Sequence, residues 1–341
     1  VGRRAVGAAE SINGSVTLAP RTINEMIRRR AAALVVPSRQ SRHQGGPPLS
    51  GGSLGSVIAS MASRTCGTSG TAGEVLTSAA FGEDPGRWPL PPAATPHELW
   101  LRAVAAGGQG RYGTALADLD TLRRGCAGGA HHSLAHSTHA SFLRQLGGHA
   151  HARGWDGRAW AAAGNHPDAA ADALVGLAAD ALGLGRFSLA RRLLDRSAVP
   201  AAQGSQRLRV RQAWVTAELA MARGDAGTAV THAEQAVDLA AALGSARHRV
   251  KSAVVLAAAL CAGGELDRSR RIADAALGDT ERYGLVPLRW AVCCLLADIG
   301  SAALSPERVA AVRAEAADTV RRRGGVWTAR DPGPTDPTDK V

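Results

Sequence analysis

Aromatic side chains make up only 4% of the 341 residues, and of the 40 basic residues just Lys251 and Lys340 are lysines. A core short of large rings has to be filled by Ala, Leu and Val, a composition that favours close-packed helices. Two lysines leave little room for Schiff-base chemistry, and no G-x-x-x-x-G-K-S/T phosphate loop occurs. The five cysteines, Cys66, Cys126, Cys261, Cys293 and Cys294, contain no C-x-x-C spacing, which speaks against a zinc ribbon or a dithiol redox site. Reduced thiols in a cytoplasmic protein are the expectation. No apolar run has the length of a membrane span. Arg3-Arg4 resembles the start of a twin-arginine signal, but Glu10 and Asn13 interrupt the apolar region that such a signal requires. The net charge of +11 accompanies an Arg-, Ala- and Gly-rich composition and does not by itself name a partner.

What the chain does have is helical punctuation. Two helical patterns, over 206–222 and 226–242, meet at Gly224-Asp225, and the second carries Val230, Ala233, Val237 and Ala240 at spacings of three and four. This predicts two antiparallel helices joined by a tight turn. The same reading gives pairs at 97–107 with 112–123, 131–152 with 156–163, and 168–183 with 187–196. Further pairs fall at 247–261 with 266–281 and at 286–300 with 306–323. Thr95-Pro96 and Ser305-Pro306 supply helix starts, a capping side chain followed by proline at the first helical position. Residues 1–95, with runs such as QGGPPLSGGSLGS, read as a disordered, low-complexity leader containing one short helix around Thr22 to Val35, with Met61 as a candidate later start. A repeat domain is expected over 96–325 and a disordered tail over 326–341.

A glycine at the turn, with Ala or Ser five positions later, recurs as Gly110 and Ala115, Gly154 and Ala159, Gly185 and Ala190, Gly224 and Ala229, and Gly264 and Ser269. The glycine serves the turn, and the small residue lets the second helix approach the first. Tyr112 and Phe187 follow two of these glycines by two positions. In these residues, over roughly 97–281 and on toward 323, the chain resembles the tetratricopeptide-repeat family. The resemblance implies an all-α fold, a right-handed α-solenoid of about six antiparallel helical hairpins with a long concave surface, and the adaptor role usual for such arrays. Separations of 44, 31, 39 and 40 residues between the turn glycines depart from the family's uniform 34. They are similar to the longer, degenerate repeats of the maltose-regulator type of bacterial transcription factor.

Two catalytic motif matches lack their structural setting. Gly108, Gly110 and Gly113 fit G-x-G-x-x-G, but a helix precedes them where dinucleotide binding needs a strand. Gly51, Ser53 and Gly55 fit G-x-S-x-G inside a glycine-rich linker, with no strand to hold the serine on a nucleophile elbow. The histidines between His131 and His151 are a further candidate, since His132, His136 and His139 share one face of a continuous helix and three imidazoles could hold a metal. That face continues through Leu143, Leu146 and Ala150, and no Asp or Glu lies between Asp120 and Asp156 to orient ligands, so packed histidines are the plainer reading.

Aligning the repeats at Gly224 and Gly264, an offset of 40, superposes Arg207 on Arg247, Arg209 on Arg249 and Arg211 on Lys251, with Arg289 continuing the middle row. Asp168 and Asp172 break the pattern in the preceding repeat. Equivalent positions on stacked hairpins form a ladder, and guanidinium groups in a row suit carboxylates or phosphates. The plain alternative is a solvated face of an Arg-rich protein. The resulting expectation is a cytoplasmic, non-catalytic interaction module, an adaptor or regulatory protein, that takes an acidic segment of a protein partner on this ladder. It would bind neither membrane nor, directly, nucleic acid, and no cofactor is called for. Two alternatives are an effector-sensing part of a transcriptional regulatory system and a metal-dependent protein using the histidine cluster.

Overall fold

The structure, a computed structural model of the chain, describes residues 71–328. The expected helix at Thr22 to Val35, the start at Met61, the Gly51–Gly55 motif and Cys66 lie outside these residues, as does the tail beyond 328. Thirteen α-helices and no strand occur among the described residues. The first, α1 (Ala72–Phe81), precedes six hairpins. These are α2 (Pro96–Gly108) with α3 (Tyr112–Gly125), α4 (Gly129–Gln145) with α5 (His149–Ala162), and α6 (Pro167–Gly183) with α7 (Phe187–Gln203). They continue with α8 (Gln206–Ala222) and α9 (Ala226–Leu243), α10 (Ala246–Gly263) and α11 (Leu266–Arg282), and α12 (Val286–Ile299) and α13 (Pro306–Arg322). Each helix packs on the next, and the first helices of successive hairpins also touch one another, which is the packing of a helical solenoid. None of these helices is long and apolar enough to cross a membrane.

The starts read from the sequence form as capping chemistry requires. The Thr95 hydroxyl accepts from the Glu98 amide at 3.2 Å while the Glu98 carboxylate accepts from the Thr95 amide at 2.9 Å. Ser305 Oγ accepts from the Arg308 amide at 3.3 Å. In four of the six hairpins the small residue expected after the turn is at the helix crossing: Ala115, Ala190, Ala229 and Ser269 are all fully buried.

The second hairpin departs from expectation. The chain reverses at Leu146-Gly147-Gly148 rather than at Gly154, so the helix expected over 131–152 is two helices. Gly147 adopts φ +88°, a left-handed conformation that side chains resist, while Gly154 is an exposed residue within α5. Ala152, five positions after Gly147, takes the buried crossing position. With Gly147 in place the turn glycines 110, 147, 185, 224 and 264 are separated by 37, 38, 39 and 40 residues, a far more even series. The glycines that follow the second helices of the last five hairpins, at 164, 204, 244, 284 and 324, recur every 40 residues.

The ends of the array also meet. The Gly113 amide donates to the Arg323 carbonyl at 2.9 Å, the Arg323 guanidinium donates to the Gln109 carbonyl at 2.7 Å, and the Thr328 amide donates to the Leu146 carbonyl at 2.9 Å. Trp327 lies 4.6 Å from Trp290 between ring centroids, and Val320 of α13 joins the apolar cluster of Leu101, Tyr112 and Leu119. Residues 326–328, expected to belong to a disordered tail, therefore help to close the structure. Residues 71–95, expected to be leader, contain α1, started by a capping box between Thr71 and Glu74. After it the Gly82 carbonyl accepts from the Ala246 amide at 3.1 Å, and Gln109 Nε2 donates to the Pro85 and Arg87 carbonyls at 2.9 Å. This segment braces α2 against α10 across the array, so the concave surface is partly covered.

Replacing Gly147 with alanine should cost about 1–2 kcal/mol, because the left-handed backbone opposes a Cβ. Gly154→Ala, in a helix with open space around it, should instead stabilise by roughly 0.5–1 kcal/mol. Urea unfolding of the two variants checks the turn assignment, and equal effects would contradict it.

Candidate functional site

All six first helices contribute side chains to one cavity of about 360 Å³, and Phe81 of α1 closes over it. The ladder expected along one edge divides at this cavity. Arg207, Arg211, Arg247 and Lys251 line it. Arg209, Arg249 and Arg289 do not: exposed Arg209 donates to the Ala202 carbonyl at 3.1 Å, Arg249 makes paired 2.6 Å contacts with Glu83, and Arg289 lies 3.5 Å from Glu281. Helical geometry explains the division. Residues four apart share a face, so Arg207 goes with Arg211 and Arg247 with Lys251, whereas a residue two positions on points away.

Asp172 of α6, which interrupts the aligned pattern, holds two of the cavity cations. It is 3% exposed, accepts from Arg207 at 3.2 and 2.7 Å, and accepts from Arg211 as well. Burial alone would raise this carboxyl, but the two guanidiniums outweigh it and hold the group ionised, below its ordinary value. Asp168, the other interrupting residue, accepts from the Ser205 amide at 2.7 Å and so joins α6 to the start of α8. Lys251 pairs with Glu218 at 3.1 Å and lies 5.8 Å from the Trp214 ring centre.

Arg247 stands apart from these pairs. Among the described residues it has no hydrogen bond or ion pair, and its guanidinium lies 5.6 Å from the Phe81 ring centre. Burial, followed by the neighbouring charges of Arg207 and Arg211, pulls it down to about 10, so it is still a cation at neutral pH. Four cations thus face the cavity and two carboxylates, Asp172 and Glu218, answer them, an excess of two positive charges. Aromatic rings frame this charge: Phe81 is 5.3 Å from Trp100, and His248 stacks on Trp214 at 5.4 Å. Burial and then the Arg247, Arg207 and Arg211 charges hold His248 well below its ordinary value, as neutral imidazole.

A second buried group forms the wall beside Asp172. Arg144 of α4 bonds Asp156 of α5 and lies 3.2 Å from Asp180 of α6. Gly176 makes the approach possible, since a Cβ there would fall 2.3 Å from Asp156 Oδ2. Both carboxylates are completely buried. Desolvation pushes Asp156 up to about 8 against the pull of Arg144, and it raises Asp180 too. Asp156 Oδ1 and Asp180 Oδ2 have no hydrogen-bond partner among the described residues, and the raised values of both carboxyls favour one proton on the pair at neutral pH. With that proton the group is neutral and leaves the cavity charge unchanged.

The histidine cluster is not assembled as a ligand set. His132 and His136 face each other with Nε2 atoms 3.0 Å apart, but His139 stacks on Trp155 at 4.0 Å and 12°. Burial, then the charge of Arg123, pulls His139 down to about 4, and burial, then His132, does the same to His136. Among the described residues no group of three His, Cys, Asp or Glu side chains could hold a metal. The positions Gly108, Gly110 and Gly113 form the turn between α2 and α3, as the helix before them implied.

Sequence reasoning missed Phe81, Trp100, Arg144 and His248. Phe81 sits in the stretch read as leader, and the other three carry no local motif, because the cavity is made by closure between distant repeats. No protein-family model matches the chain, and no curated protein matches it in sequence.

The Asp156 proton makes stability depend on pH. Its folded value lies above the unfolded one, so the folded chain keeps a proton that the unfolded chain has released, and stability falls as pH rises from about 4 through about 8. The thermal midpoint should therefore drop between pH 5 and pH 8.5, and Asp156→Asn should flatten that drop. An unchanged slope in the variant would exclude that proton.

Proposed function

We propose that this chain is a non-catalytic recognition module of the cytoplasm whose binding site is the partly covered cavity, and that it receives a ligand bearing an anionic group. The observation that carries this reading is the charge imbalance: four cations converge where only Asp172 and Glu218 answer them, and Arg247 has no ionic partner among the described residues. A half-buried cation without a counter-ion, as Arg247 is, lowers stability, and an anionic ligand removes that cost. Guanidinium groups at the end of a partly covered space also strengthen charge-assisted hydrogen bonds relative to water. The four unpaired cysteines of the described region, Cys126, Cys261, Cys293 and Cys294, accord with a reducing compartment.

This moves the partner expected on the outer Arg row to the inside. Part of that row already has an acidic occupant within the chain, because Glu83 grips Arg249. An acidic segment of another protein would have to displace it. A partly covered space of about 360 Å³ favours a small effector, which brings the reading closer to the sensing part of a regulatory system than to an open scaffold.

Titration calorimetry of the full chain with phosphate and with succinate tests the proposal. One anion is expected to bind with one-to-one stoichiometry, and Arg247→Gln should weaken it about tenfold or more while Arg209→Gln leaves it unchanged. The Arg247 variant should also unfold at higher urea than the native chain when no ligand is present. Equal anion binding by native protein and Arg247→Gln would overturn the assignment.

A further inference from the structure

The cavity has two kinds of wall, and their arrangement describes the rest of the ligand. On α8 the lining begins with Arg207 and Arg211 in the first turns and continues to Val215 and Met221. On α10 it begins with Arg247 and Lys251 and continues to Val254, Val255 and Ala258. As first helices of adjacent hairpins these two run side by side in the same direction, so the cations lie toward one level and the apolar side chains toward another, with the Glu218 carboxylate, paired to Lys251, between them. Next to them, α12 lines the space with Leu288, Ala291 and Leu295 and adds no charged side chain.

We infer that the ligand is an amphipathic organic acid, with one anionic head group at Arg247 and an aliphatic or flat apolar body against the wall of α8, α10 and α12. The inference rests on the proposed anion-binding function and adds the chemistry of the remainder. A bare anion would satisfy Arg247 but leave the apolar wall facing water, and a neutral apolar molecule would cover the wall but leave Arg247 without a counter-ion. Only a molecule with both parts answers both walls. The volume of about 360 Å³ is within the range of small-molecule pockets, near its lower end, and well below that of a folded partner. Asp172 shows the head-group chemistry within the protein itself, a carboxylate engaged by two guanidiniums at one end of the same space.

The test is a chain-length series on the full chain, using acetate, hexanoate and decanoate, with decanol as the neutral analogue and decyl phosphate as the alternative head group. Affinity is read by calorimetry and by the fluorescence of Trp100 and Trp214, which line the cavity. Each methylene that enters should tighten binding about fourfold until the apolar space is filled. Decanoate or decyl phosphate should bind at least tenfold more tightly than decanol, and the tighter of the two identifies the head group. Ala258→Trp, checked for native helical circular dichroism, should shorten the chain length at which affinity stops rising. If acetate and decanoate bind alike, or the Trp variant leaves the optimum length unshifted, the amphipathic ligand is excluded while the anion site stands. If acetate, decanoate and decyl phosphate all fail to bind, the inference falls, and if phosphate and succinate fail as well, the proposed function falls with it.

Discussion

The meeting of the last hairpin with the first is the contact on which the rest of this structure depends. A stack of helical hairpins ordinarily leaves its first helices facing an open groove, where arginines are solvated and contribute little. Closure changes their surroundings without changing the hairpins. The approach is close: a Cβ on Gly324 would lie 2.8 Å from the Gly113 nitrogen, so the backbone of the connection after α13 can reach α3 only because that position is glycine. Trp327 on Trp290 and the Arg323 guanidinium on the Gln109 carbonyl complete the seam.

Inside the closed array, charge has to be answered locally. Asp172 holds Arg207 and Arg211, Glu218 holds Lys251, and the Asp156–Asp180 pair, its carboxyls raised by burial, takes up Arg144. Arg247 is left with aromatic faces and like-charged neighbours. A fold that gives the other cavity cations a carboxylate partner and leaves one cation without one departs locally from the most stable arrangement, the kind of departure expected where a site is built for something else to complete. The segment 71–95 belongs to the same design, since Phe81 roofs the cations and Glu83 ties the roof to α10.

The hairpins were legible because each needs a left-handed glycine at its turn and a small residue at its crossing, both of which appear at fixed spacing. The second hairpin was misread because 131–152 is rich in His, Ser and Ala, with no strong apolar period to show a break, and because Gly154 offered a rival turn. The cations were found by repeat alignment, but the alignment alone could not separate the inward face from the outward one. The four-residue spacing of Arg207 with Arg211 and of Arg247 with Lys251 contained that information. Asp172 interrupts the ladder in the alignment and in fact anchors it, since a carboxylate facing two guanidiniums from the next hairpin has no signature within its own helix. Closure was not legible, because it joins Gly113 to Arg323 across 210 positions of the chain through backbone groups that any sequence possesses.

Hydrogen exchange at the Gly113 amide tests closure most directly. Gly113 is the second residue of α3, so its N–H is one of those that a helix leaves without an internal partner, and its acceptor is the Arg323 carbonyl at the other end of the array. The closed structure requires protection of this amide comparable to that of the helix interiors, lost only when the array opens. Exchange at the rate of an unprotected helix end, with the neighbouring helical amides still protected, would show an open solenoid and would remove the cavity from the account.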